Sequence, residues 1–339
     1  MRGFKDHATK HYPKHYQLRL KQKVWKARKN DYCNGDTKRH KILVDLLLDF
    51  KRLYHKKQSN IALMHYVENS HDSNDHLHWL DDDILYFLNA GINENLFDST
   101  ILFLYSDHGS RFNKKRSSQR YLEERLPFFS VYLPDKFMKN NQDKLENFKN
   151  NLNKLTSPFD IYATVRDVTC LERDRKDDRK RSISLFDSIS KFRSCEDIGI
   201  AEHFCSCVKD WKFQDFNSEI ISKSIKFAIE SINKITSENR NLCRELSLKD
   251  TISAEKFSKS SGSLYRVSFI TAPNNGIYET IVYENKHDNF EFSSDLFSIK
   301  SKMDISRIDS YGEQPKCVAK FGSNPGLLLD LRKFCYCYS

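Results

Sequence analysis

The chain has 339 residues, with 56 Lys and Arg against 46 Asp and Glu, giving a formal net charge of +10. A hydrophobic share of 39 % with 13 % aromatics excludes a disordered chain and suffices for a sizeable core. No run of 18 apolar residues exists, so no transmembrane helix is expected, and no signal peptide is read at the start.

Residues 1–30 hold ten Lys or Arg and one acid, Asp6. Such a segment reads as solvated and basic; no specific nucleic-acid partner is expected of it. Residues 42–54 have the apolar spacing of an amphipathic helix. Residues 60–67 (NIALMHYV) predict a buried strand, followed by a polar cluster at 68–76. Residues 77–89 predict a helix with an apolar stripe. Asp81, Asp82 and Asp83 fall at its start, where negative charge is favoured, and read as a solvated face.

Residues 101–105 (ILFLY) predict a second buried strand, which runs straight into Ser106, Asp107, His108 and Gly109. Aspartate and histidine ligate metals, and glycine permits a sharp turn beside a site. Ligands of open α/β sheets sit beyond the carboxyl ends of the strands. The recurrence of strand, polar loop, helix, strand and polar loop predicts a βαβ unit with parallel strands. Both polar loops would then open on one sheet edge, bringing His71 towards Asp107 and His108.

A basic loop follows at 111–120, then a third strand at 128–133 (FFSVYL). Residues 137–155 are helical or irregular. Ser157, Pro158 and Asp160 form a helix start, with serine as N-cap. The charge run 171–181 reads as an exposed loop. Past Cys207 the character changes. A helix is expected within 216–239, strands at 264–271, 277–283 and 290–292, and further strands at 305–311 and 317–321. The expected organisation is a basic segment 1–32, an α/β domain 33–209 and a C-terminal α+β subdomain 210–339.

Nine cysteines cluster towards the end of the chain. A zinc site from Cys195, Cys205 and Cys207 with His203 lacks the usual C-x2-C spacing. Disulfides of an oxidising compartment fit better, and the odd count leaves at least one cysteine without an intrachain partner.

The ordered set ENSHD at 68–72, DDD at 81–83, SDHGSRF at 106–112, LEERLP at 122–127, SPFD at 157–160, SLF at 184–186 and CEDIGI at 195–200 resembles the alkaline-phosphatase superfamily. Within that superfamily of sulfatases and phosphatases it looks like an uncharacterised animal family, rich in invertebrate members. The resemblance runs on to RKFCYC at 332–337. It implies a partial parallel-sheet α/β core followed by an α+β module. It also implies a hydrolase of sulfate or phosphate esters that uses a divalent metal (Zn, Ca or Mg). By this resemblance Asp107 and His108 bind the metal, and His71 and Arg111 face an anionic ester substrate. The superfamily's first metal-binding acids and its nucleophile precede the matched region, and residues 1–31 hold neither. The expectation is therefore a family member lacking its N-terminal part, with half of a metal site and no identified nucleophile. Its alternative is a non-catalytic, degenerate domain with a binding or structural role. The expected place is extracellular or lumenal, with any membrane anchor in a segment preceding this chain.

Overall fold

The computed structural model describes residues 9–13, 16, 18–19, 32–70, 75–109, 118–169, 181–207, 210–260, 262–320 and 331–338. Two compact units result. One comprises Met1–Phe103 with Val131–Phe137, the other Leu104–Ser130 with Met138–Ser339.

In the first unit, strands β1 (Cys33–Asn34) and β2 (Thr37–Lys38) form a small antiparallel hairpin that leads into helix α1 (Arg39–Tyr54). A 3-10 turn at Leu77–Leu80 opens helix α2 (Asp81–Asn93). Val44 and Leu48 of α1 pack with Phe87 of α2, Leu96 and Phe97. Gly91 is required here: a Cβ would stand 2.0 Å from the Phe97 ring. The acidic start of α2 is not wholly a solvated face. Asp81 and Asp82 are exposed, but Asp83 is buried and accepts from Lys38 Nζ at 2.9 Å and His40 Nε2 at 2.8 Å.

Residues 60–67 do not form the expected strand. Ile61 and Leu63 are 62 % and 77 % exposed, and the run has no ladder partner among the described residues, although Met64 packs against the cluster of Val44, Leu48 and Phe87. The expected βαβ unit thus lacks its first strand. Every pairing with a described register is antiparallel. The second expected strand does form, as β3 (Leu102–Tyr105), and pairs with β4 (Phe129–Tyr132), but it is half-buried rather than buried, with Tyr105 exposed. The division between the units falls within both strands.

In the second unit, α3 (Ser118–Arg125) precedes β4; beyond α4 (Asp135–Asn140), within which the division falls again, come α5 (Gln142–Asn151) and α6 (Pro158–Thr169). At the start of α6, Asp160 Oδ2 accepts from the Ser157 backbone N–H at 2.7 Å and from Ser157 Oγ at 3.2 Å. Asp160 is fully buried and also receives Ile183 N–H and both terminal nitrogens of Arg193. The SPFD run therefore clamps the segment after residue 181 onto α6. Within the SLF run, Leu185 N–H donates to Thr164 Oγ1 at 2.8 Å and Leu185 O accepts from Asn151.

The C-terminal half of this unit is an antiparallel sheet packed on helix α7 (Glu219–Ile235). Its strands are β5 (Lys212–Phe213), β6 (Ser247–Lys259), β7 (Gly262–Ala272), β8 (Ile277–Glu284), β9 (Phe292–Ser293), β10 (Phe297–Ile299) and β11 (Ser306–Arg307). The order is β5-β6-β7-β8-β10-β9, with β11 beside β8. Ile221, Ile225, Ala228 and Ile232 recur at helical spacing and pack with Val267, Phe269, Tyr278 and Val282. Each fully buried Ile or Val is worth about 1.5–3 kcal/mol. The strand expected at 317–321 is instead a 3-10 turn, Lys316–Lys320, in which Val318 is buried and Cys317 and Cys337 are joined.

The β-sheet face away from α7 carries a buried polar layer. Glu255 is opposite Arg266 in register, and Ser268 is opposite Glu279. Arg266 Nε donates to Glu255 at 2.6 Å, and Ser268 Oγ donates to Glu279 at 3.0 Å. Helix α3 covers this layer. The Tyr121 ring has the Arg125 guanidinium 3.6 Å and the Arg266 guanidinium 3.9 Å from its centroid.

Candidate metal centre

Strand β3 delivers Ser106 to the side of the next strand's entry, where Ser106 N–H donates to Phe128 O at 3.0 Å. The chain then turns outward. Asp107 is 72 % and His108 44 % exposed at the side chain. Asp107 Oδ1 accepts from the His108 backbone N–H at 2.9 Å, which fixes the carboxylate against its own loop. His108 Nδ1 stands 2.7 Å from Gly109 O. A carbonyl only accepts, so Nδ1 carries the proton, and in the neutral imidazole Nε2 carries the lone pair. That Nε2 is 3.8 Å from Asp107 Oδ2.

A tetrahedral cation with bonds of about 2.0–2.2 Å sets its donors roughly 3.3–3.6 Å apart, so these two atoms would share one ion after closing by a few tenths of an ångström. A histidine that donates its other ring N–H to a carbonyl is also the usual form of a metal-ligating histidine. Asp107 and His108 could together supply two donors to a divalent metal. Among the described residues, no third His, Cys, Asp or Glu joins Asp107 and His108 in a metal-holding group. His71 and Arg111 lie outside the described residues.

Gly109 matters for a different reason from the one its sequence context implies. Its backbone N–H donates to Glu124 O at 3.1 Å, and a Cβ would stand 2.1 Å from Glu123 O. The requirement is close approach of two backbones. Helix α3 thus supports the Asp107–His108 loop from behind. In turn α3 is fixed by Arg125, whose Nε donates to His203 O at 3.1 Å and whose Nη2 meets Glu279 at 3.2 Å. Burial lowers the pKa of the Arg125 guanidinium, opposed by Tyr121 and Glu124. This support was visible in the sequence only as the charged run LEERLP before a predicted strand.

Among the described residues three disulfides form: Cys195–Cys205, Cys243–Cys335 and Cys317–Cys337. Cys33 and Cys207 are free, and Cys170 lies outside the described residues. The Cys195–Cys205 bond occupies two of the three thiols that a zinc site would need, and His203 Nε2 is instead 2.9 Å from Ser306 Oγ. Three disulfides are compatible with an extracellular or lumenal location. Among the described residues no helix is long and apolar enough to cross a membrane.

No curated protein and no solved structure matches the chain. A family model does match it over residues 1–252, well over half its length, and the chain therefore belongs to the family described as proteins of unknown function, DUF229.

Proposed function

We propose that the chain is of metal-dependent hydrolase lineage within the alkaline-phosphatase and sulfatase superfamily, acting on sulfate or phosphate esters. The matching fold reading is a partial alkaline-phosphatase-like parallel-sheet core with a C-terminal α+β module. The observation that carries the proposal is the pairing of His108 Nε2 with Asp107 Oδ2 at 3.8 Å on a loop at the carboxyl end of β3. A divalent ion (Zn, Ca or Mg), when bound, would stabilise charge on a sulfuryl or phosphoryl group and lower the pKa of a nucleophile. Asp107 would supply a carboxylate ligand. His108 would supply Nε2, with Gly109 O holding the tautomer. His71 and Arg111 are proposed to face the anionic ester, which a guanidinium recognises through two parallel hydrogen bonds. An extracellular or lumenal setting accompanies this reading.

The test is calorimetric titration of the wild type and Asp107→Ala with Zn, Ca and Mg. Binding that disappears in the variant supports the reading. A cooperatively melting wild type that binds none of the three ions overturns it.

A second reading is a non-catalytic domain of the same lineage, kept for binding or structure. It is favoured by the two-ligand count among the described residues. Turnover of an aryl sulfate or aryl phosphate that is lost in Asp107→Ala would rule it out.

A further inference from the structure

We propose that Cys195, Cys205 and Cys207 form a thiol–disulfide exchange site, in which the bond to Cys195 passes between Cys205 and Cys207. The three sulfur atoms lie within 4.8 Å of one another. Two of them, Cys195 and Cys205, are buried and bonded; the third, Cys207, is a free and exposed thiol. A thiolate beside a disulfide is the reactant pair for exchange, and access of the attacking sulfur sets the rate. Here the attacker is open to solvent, and its target is one side chain away.

The step balances without an outside oxidant or reductant. Cys207 loses its proton to solvent, and the thiolate attacks Cys195 Sγ. The Cys195–Cys205 bond breaks as the Cys195–Cys207 bond forms. The electron pair leaves on Cys205 Sγ, which takes up a proton. Attack on Cys205 instead would join residues two apart. It would displace Cys195 instead of Cys205 and close the small ring Cys205-Ser206-Cys207.

The tether would move two residues along a segment that supports helix α3. The segment's His203 carbonyl accepts from Tyr121 Oη at 3.0 Å and from Arg125 Nε at 3.1 Å, and the Cys205 carbonyl faces Tyr121 Oη at 3.5 Å. With the bond on Cys207, the anchor lies beyond these contacts and no longer at their end.

Alkylation with iodoacetamide, acid quenching and non-reducing peptide mapping of the full chain provide the test. The expected wild-type map has two mutually exclusive species: a Cys195–Cys205 bond with Cys207 alkylated, and a Cys195–Cys207 bond with Cys205 alkylated. In Cys207→Ser only the first bond remains and Cys205 is never labelled. In Cys205→Ser, air oxidation forms the Cys195–Cys207 bond and protects both cysteines. The proposal is overturned if wild type shows the first species alone over hours at neutral pH. It is equally overturned if Cys207 is found bonded to Cys33 or Cys170, or if Cys195 and Cys207 both stay alkylatable in Cys205→Ser. The wild-type map needs no variant to fold.

Discussion

Arg125 and Glu279 are separated by 154 residues in sequence and by 3.2 Å in space, each with 4 % of its side chain exposed. They join helix α3, which supports the Asp107–His108 loop, to the centre of the C-terminal sheet. Removing one partner of a buried pair leaves an uncompensated charge and costs about 3–5 kcal/mol. Arg125→Met is therefore expected to lower stability by that amount in urea denaturation. The double variant Arg125→Met/Glu279→Gln should recover part of the loss, because the stranded carboxylate is gone. Hydrogen exchange should also quicken at Gly109, whose amide depends on the Glu124 carbonyl. An additive double variant, or an unchanged Gly109 amide, would refute the linkage.

Gly109→Ala tests the loop directly. The new methyl would meet Glu123 O at 2.1 Å, and a backbone carbonyl does not yield as a flexible side-chain tip would. The loop must lift from α3. Overpacking of this kind costs about 1–3 kcal/mol. The paired expectation is a lower Tm together with weaker divalent-metal binding than wild type in the same calorimetric titration. Wild-type affinity at a lowered Tm would mean that the ligand geometry does not depend on the close approach to α3.

The strand-to-Asp-His-Gly passage was legible because five apolar residues meet a polar turn with no ambiguity of period. What Gly109 does was not, since its constraint comes from residues 123 and 124 and leaves no local mark. Residues 60–67 misled for the opposite reason. Their composition is that of a strand, but a strand needs a neighbour, and composition is silent on neighbours. Strand β6 left little apolar signal because Ser253 and Glu255 face the polar layer with Arg266 and Ser268, while its fully buried apolar contribution is the small Ala254. Asp83 and Asp160 likewise read as helix-start acids, whereas their burial depends on Lys38, His40 and Arg193, distant residues that no local pattern identifies.

Asp83 gives a pH signature. Burial opposes its ionisation, but hydrogen bonds from Lys38 and His40 outweigh that and hold its carboxyl below the ordinary range. A carboxyl whose folded pKa lies below its unfolded one binds protons more readily when unfolded. Its stabilising contribution is thus complete above the unfolded value, about pH 4, and is lost as pH falls through the lower folded value. Wild type should lose Tm more steeply than Asp83→Asn on going from pH 5 to pH 3. Parallel curves for the two proteins would place the acid sensitivity elsewhere.

The disulfides should differ in what they contribute. Cys243–Cys335 closes a separation of 92 residues and Cys195–Cys205 one of 10. In the chain-entropy account, a cross-link stabilises by restricting the unfolded chain, more for longer loops, giving about 4–5 kcal/mol for the first and about 2–3 for the second. Cys335 lies in the isolated bridge region where Cys243 pairs with Cys337, and it packs with Val318 and Leu331, so its loss also loosens a small apolar cluster. Cys243→Ala/Cys335→Ala should therefore melt well below Cys195→Ala/Cys205→Ala, with both compared in buffer free of reductant. The order of the two melting temperatures is the decisive reading. If the short-loop variant is the less stable, the Cys195–Cys205 bond does more than close a ten-residue separation. Its link through His203 to Tyr121 and Arg125 would then be the source of the excess.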